Sequence, residues 1–206
     1  MDTSALITAF VTLFVIIDPI GLTPMFVALT QGEDAATRRS IALRSCLTAF
    51  GILALFAFFG EAVLGFVGIS MPAFRIAGGV LLFLTALDML FERRTKRRED
   101  RVEEDENPDP SVFPLAIPLI AGPGSIATVI LLGGQMAEGL TGSVLVLGVA
   151  IAVLVVVLGL FLAAGLLEKL LGKTGVNVAT RLLGMLLAAL SVQFILEGLR
   201  NFGFAS

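Results

Sequence analysis

The amino-acid sequence predicts an all-α, polytopic membrane protein of six transmembrane helices, built as a 3+3 inverted repeat with discontinuous spans 1 and 4. Three observations carry this expectation. Of 206 residues, 57% are apolar and 15% charged, with a mean hydropathy of +0.99. A soluble domain is about 45–50% apolar and about 25% charged, and a soluble core of this size cannot hide the excess from water. The apolar residues also gather into six runs long enough to cross a hydrocarbon core of roughly 30 Å. Finally, the two halves of the chain share anchor residues in the same order.

Composition excludes several classes of function. A net charge of −3 leaves no basic excess to neutralise phosphates, so nucleic acid is not an expected partner. Cys46 is the one cysteine and histidine is absent. Disulfide frameworks, haem and iron–sulfur ligation, most zinc chemistry and histidine-based triads drop out together. No cofactor is expected, and the bilayer is the first partner.

The first span covers residues 5–29. Met1-Asp2-Thr3-Ser4 lacks a basic stretch and the run is too long for a signal peptide. Spans 2 and 3 cover 41–67 and 71–91. Residues 92–112 then hold 14 of the 31 formal charges, basic first and acidic later, and close on Asn107-Pro108-Asp109-Pro110. This reads as a solvated linker. Spans 4, 5 and 6 follow at 113–137, 143–167 and 180–199. The domain reading is therefore a first repeat at 1–91, a charged linker at 92–112 and a second repeat at 113–206.

Alternate loops lie on opposite sides of the membrane. One side carries Arg38, Arg39, Arg44, six Lys/Arg of the linker, Lys169, Lys173 and Arg181; the other carries Arg75 and Arg200. Twelve against two is a strong positive-inside bias. The linker is expected in the cytoplasm and both termini outside.

The repeat shows as E-x-x-L-G-x-x-G at Glu61–Gly68 and again at Glu168–Gly175. Arg75-Ile76-Ala77-Gly78 and Arg181-Leu182-Leu183-Gly184 follow at nearly equal gaps. An odd number of spans per half makes the repeat inverted, a pattern typical of secondary transporters.

Both first spans of the halves carry helix breakers. Span 1 reads Ile17-Asp18-Pro19-Ile20-Gly21-Leu22-Thr23-Pro24; span 4 carries Pro114 and Pro118, then Ala121-Gly122-Pro123-Gly124-Ser125. Proline removes a donor and glycine permits departures from the helix. Asp18 lies roughly 20 Å along span 1, near mid-membrane. Either break alone is equally well a kink covered by neighbouring helices, but two at equivalent places point to a cavity. Thr23 before Pro24, and Ser125, are the expected caps of the restarted helices. Such N-termini suit a carboxylate, and the carbonyls ending the preceding half-helices suit an ammonium group or cation. The site is thus expected at Asp18, Pro19, Gly21, Thr23, Gly122, Pro123, Gly124 and Ser125, holding a small zwitterion. Asp18 reads either as a coupling site for H+ or Na+ or as a cap on the backbone opened by Pro19. Arg75 with Glu197, and Arg181 with Asp88, read as structural pairs if spans 3 and 6 pack antiparallel through Gly78, Gly79 and Gly184.

The chain resembles the MarC family of six-span bacterial membrane proteins. The resemblance rests on Asp18-Pro19-Ile20-Gly21 with Pro24, Gly68–Pro72 leading into Arg75-Ile76-Ala77-Gly78-Gly79, Pro114–Pro118 with Ala121-Gly122-Pro123-Gly124, and Arg181–Gly184 through Gln193-Phe194-Ile195. It covers essentially the whole chain. It implies an inner-membrane location and transport of small neutral amino acids such as glycine or alanine. One departure is Leu22, where family members commonly carry Asn. The expected function is therefore secondary transport of a small neutral amino acid. The alternative is a channel or exporter of another small solute using the same breaks as a filter. An enzyme is not expected, because no histidine or suitably placed lysine stands by to activate Ser125.

Overall fold

Proline punctuation and long apolar runs dictate the element order. The computed structural model describes residues 3–91, 109–137 and 139–203, so 92–108 of the expected linker lie outside the described residues. The helices are α1 Thr3–Ile17, α2 Pro19–Leu29, α3 Ala35–Val67, α4 Met71–Leu90, α5 Ser111–Ile120, α6 Pro123–Met136, α7 Leu140–Leu162 and α8 Ala164–Phe202. Five spans are long and apolar enough to cross a membrane, with α1 and α2 together forming the first; counting the bent pair α5–α6 as one span brings the number to six.

Helix ends follow from local chemistry. Asp34 caps α3 by accepting the Thr37 amide at 2.7 Å, and that bond holds its carboxyl below the usual carboxylate range. Gly68 ends α3 at φ 82°, a left-handed stop that suits glycine. Ser70 caps α4, with Pro72 in its first turn. Within α8, Gly172 departs from helical geometry at φ 57°, and the apolar span proper runs Thr174–Phe202. The segment α5 is irregular. Pro114 and Pro118 donate no amide, and Phe113 and Ile117 before them are extended (φ −126° and −122°), as residues before proline prefer to be. Its backbone bonds skip five residues, from Leu115 N to Pro110 O and from Ala121 N to Ala116 O.

The most extensive helix contact joins α4 to α8. Small residues make it possible. A Cβ on Gly79 would stand 2.9 Å from Ser191 O and 3.1 Å from Ile195 N; one on Gly184 would stand 3.3 Å from Ala86 O; one on Gly198 would stand 3.0 Å from Pro72 O. The order of these contacts is antiparallel. Gly79 and Gly184 thus make the seam expected of spans 3 and 6. Gly78 does not join it: the residue faces Leu131 and Ala127 of α6.

Apart from α6 on α7, the other extensive contacts also cross between the two halves of the chain. Helix α3 packs on α5, α6 and α7, while α7 packs on α1, α2 and α3. Ser143 donates to Ala57 O at 2.7 Å, and Cys46 lies buried with its sulfur 3.9 Å from Leu154 O. The helix order defines two ends of the bundle. Residues 3, 67, 71, 136, 140 and 202 lie at the terminal end; 29, 35, 90, 111 and 162 lie at the linker end. At the linker end Arg44 pairs with Asp109, and Arg38 sits 5.8 Å over the Phe26 ring, which stacks on Phe161 at 4.4 Å.

Candidate functional site

The first break is one residue wide. Asp18 adopts φ 55° and ψ 63°, a left-handed conformation that aspartate tolerates better than most residues. Its amide still closes α1 onto Phe14 O, and its carbonyl opens α2 by accepting from Leu22 N. The side chain is wholly buried and accepts the Gly21 amide on Oδ1 at 3.0 Å. A Cβ on Gly21 would collide with Asp18 Oδ2. Glycine is what lets the carboxylate lie over the first turn of α2.

The expected restart at Thr23 is overturned. Helix α2 begins at Pro19, with Asp18 as its cap. Thr23 is buried inside the helix, donating its hydroxyl back to Pro19 O at 2.9 Å, and Pro24 lies within the helix. Ser125 is not a cap either. Helix α6 begins at Pro123, its capping residue is Gly122, and no side chain caps it. Both restarts obey one rule: the proline sits at the first helical position and the residue before it is the cap.

The second break is sharper, with α5 and α6 meeting at 54°. Gly122 passes so close to Pro118 O that a Cβ there would collide with it. Gly124 brings the two breaks together. A Cβ on it would lie 3.5 Å from Ile16, two residues before Asp18, and 3.4 Å from Leu82 of α4. Two proline-started helices therefore begin inside the bundle: Gly124 of α6 packs beside the end of α1, and Asp18 caps α2 with its carboxylate buried. Around them Pro19, Leu22, Gly122 and Ser125 are buried, Gly21 and Gly124 are half-buried, and Pro123 is exposed.

Sequence reading passed over three polar groups. Thr128, four residues beyond Gly124 and so on the same face of α6, is fully buried, and its hydroxyl makes no hydrogen bond among the described residues. Gln135 and Gln193 each donate to Glu197 at 3.0 Å, on separate oxygens, and Arg75 Nη1 lies 3.8 Å from the same carboxylate. The signal was present: an amide near the end of an apolar helix needs a partner. Asp88 and Arg181 lie at the other end of the α4–α8 seam, beside the contacts of Gly184 with Ala86 and Met89. A shallow apolar groove of about 460 Å³ between α1 and α7, lined by Leu6, Phe10, Val144 and Gly148, is separate from the breaks.

A family model described as MarC family integral membrane protein matches residues 3–202. A UPF0056 membrane protein of Methanocaldococcus jannaschii is 35% identical, covering 98% of both chains. YvbG of Bacillus subtilis, also a UPF0056 membrane protein, is 38% identical over 96% of this chain and 95% of its own. The UPF0056 membrane protein YhcE of Escherichia coli is 35% identical over 93% and 90%. No solved structure matches significantly.

Proposed function

Because the chain belongs to the MarC family of integral membrane proteins, we propose that it is a secondary transporter for a small neutral amino acid such as glycine or alanine. The observation that carries the reading is a pair of proline-started helix N-termini inside the bundle, one capped by a buried carboxylate and the other packed through Gly124 beside the end of α1. The two ends are not alike. Asp18 already fills the first turn of α2, whereas no side chain caps α6. A substrate carboxylate therefore belongs at the Gly124 and Ser125 amides, with the Thr128 hydroxyl on the same face. The ammonium group belongs opposite, toward Asp18 and the last carbonyls of α1. Leu82 and Ile16 close around Gly124, so only a small substrate side chain is accepted. Asp18 is the residue through which H+ or Na+ is coupled.

The inverted 3+3 repeat, with spans 1 and 4 as its discontinuous members, is part of the same reading. Helices α1 and α5 pack on α7 and α3 respectively, and α2 and α6 pack on the pairs α7 with α8 and α3 with α4. Each pairing becomes the other when the halves exchange. The seam behaves likewise: Gly79 against Ser191 and Ile195 becomes Gly184 against Ala86 and Leu90 on adding 105 to the first number and subtracting it from the others.

Counterflow of radiolabelled glycine or alanine in proteoliposomes tests the function. Saturable exchange is expected, dependent on a proton or sodium gradient. Absence of exchange overturns the substrate, and unsaturable, voltage-driven conductance overturns the transporter in favour of a pore. Orientation follows the basic bias, with termini outside. A cysteine replacing Ser206, in a Cys46→Ala background, is expected to react with an impermeant maleimide on intact cells; reaction only after lysis reverses the topology.

A further inference from the structure

The geometry points to a pair of repeat-related polar latches, one at each end of the bundle, of which the terminal-end latch at Glu197 is closed in this structure. The inference rests on the inverted repeat just proposed, and begins from a place where the two halves fail to match. Helix α1 packs on α6, and both occupy the terminal half of the bundle. Exchange of the halves turns this pair into α5 and α2, which make no contact of comparable extent. Likewise α6 packs closely on α7, while α2 makes no comparable contact with α3. The broken spans are drawn together at the terminal end and parted at the linker end. In a transporter of inverted repeats, the opposite state is reached by exchanging these two arrangements.

Glu197 shows what holds the terminal end shut. Gln135, one residue from the end of α6, donates to Glu197 Oε2 at 3.0 Å, and Gln193 of α8 donates to Oε1 at 3.0 Å. Arg75 of α4 lies 3.8 Å from Oε2, with its side chain only 11% exposed. On the other flank of α6, a Cβ on Gly134 would come within 2.8 Å of Glu61 Oε1 of α3. One carboxylate thus ties the moving half of span 4 to the α4–α8 seam at the tip of the helix. A bond there acts about 18 Å from the break at Pro123, at 1.5 Å per residue, so it resists rotation with a long lever arm.

The repeat supplies the counterpart. The offset near 105 that relates the seam glycines also relates Gln135 to Gln31, Gln193 to Asp88 and Arg75 to Arg181, to within one residue. Gln31 follows the end of α2, where Gln135 ends α6, and it is exposed. Asp88 and Arg181 stand on α4 and α8 at the linker end, the positions that Gln193 and Arg75 hold on α8 and α4 at the terminal end. An amide on the tip of the broken span, with an acid and an arginine on the seam, recurs at both ends, but the acid changes place: Asp88 stands at the position of Gln193, and the offset takes Glu197 to Glu92, outside the described residues. In the exchanged state Gln31 donates to Asp88 as Gln135 donates to Glu197 here.

A cysteine pair in the full-length protein, in a Cys46→Ala background, tests this. Gln31→Cys with Asp88→Cys, which leaves the Glu197 latch intact, is expected to cross-link poorly with a short bifunctional thiol reagent. Adding Glu197→Leu to this pair should raise its cross-linked fraction by roughly ten-fold, the shift expected from losing one or two charge-assisted hydrogen bonds. Glu197→Gln, which keeps the shape and some of the bonding, should give a smaller rise, and a monodisperse elution profile establishes that each variant is folded. Ready cross-linking of this pair with Glu197 intact, or no rise with folded Glu197→Leu or Glu197→Gln protein, overturns the latches. No substrate is needed. Exchange of latches without glycine or alanine transport refutes the substrate alone, and transport without exchange of latches refutes the latches alone.

Discussion

Replacing Gly79 with leucine is expected to lower the stability of the protein by roughly 3 kcal/mol or more, and its unfolding midpoint by about 10 °C. The reason is what a side chain there would meet. Its Cβ alone would lie 2.9 Å from Ser191 O and 3.1 Å from Ile195 N. These are backbone atoms of α8, which cannot rotate aside as a side chain can. The helices must separate, and the α4–α8 seam is the largest contact in the molecule. Gly51→Leu is the matched control. Nothing lies within 4 Å of a Cβ at Gly51, so that leucine meets lipid and the midpoint should hardly move. Cys46 is the readout. It is buried and is the only cysteine in the chain, so a fluorogenic maleimide reports unfolding when heat exposes it. A Gly79→Leu protein that melts with the control would show that the seam contributes little.

Asp18 should divide stability from transport. Asparagine fits the left-handed backbone, and its carbonyl can accept the Gly21 amide as Oδ1 does now. Asp18→Asn is therefore expected to fold with a loss of about 0.5 kcal/mol or less. Ion-driven accumulation of glycine or alanine in proteoliposomes should nonetheless fall roughly a hundred-fold, about 3 kcal/mol, as expected for a lost charge-assisted contact in a dry site. Asp18→Ala loses the cap as well and places an unsuited residue at φ 55°, at a cost of roughly 2 kcal/mol or more. Normal ion-driven uptake by Asp18→Asn would leave Asp18 as a helix cap only.

The spans were legible because hydropathy needs no tertiary information: a run long enough to cross lipid is apolar whatever it packs against. Asp18-Pro19 and Gly122-Pro123-Gly124 were legible as interruptions for the same reason. The register of the restarts was misread because Thr23 and Ser125 are good caps in isolation. What decided each restart was proline at the first helical position, and the threonine hydroxyl, four residues on, found a carbonyl inside the helix instead. Gly78 was placed on the wrong seam because adjacent residues on a helix point about 100° apart, so two neighbouring glycines need not serve one partner. Thr128 and Gln135 were passed over because a single polar residue in an apolar helix declares its importance only through what surrounds it.

The way the halves cross has a consequence for how the chain is made. Among the described residues, the helices of 3–91 make almost no contact with one another; their partners are α5 to α8. Translation delivers the first three spans to the bilayer before those partners exist. Span 1 must enter lipid with Asp18 at its middle, where a lone aspartate costs about 3 kcal/mol, and the leucine, isoleucine, valine and phenylalanine around it each return about 0.3–0.6 kcal/mol. The newborn half thus waits as separate, lipid-coated rods, and its assembly is delayed until the last helix leaves the ribosome. A break in the polypeptide between residues 91 and 109 would leave those mutual contacts intact, while truncation after it would strand three helices with nothing to hold.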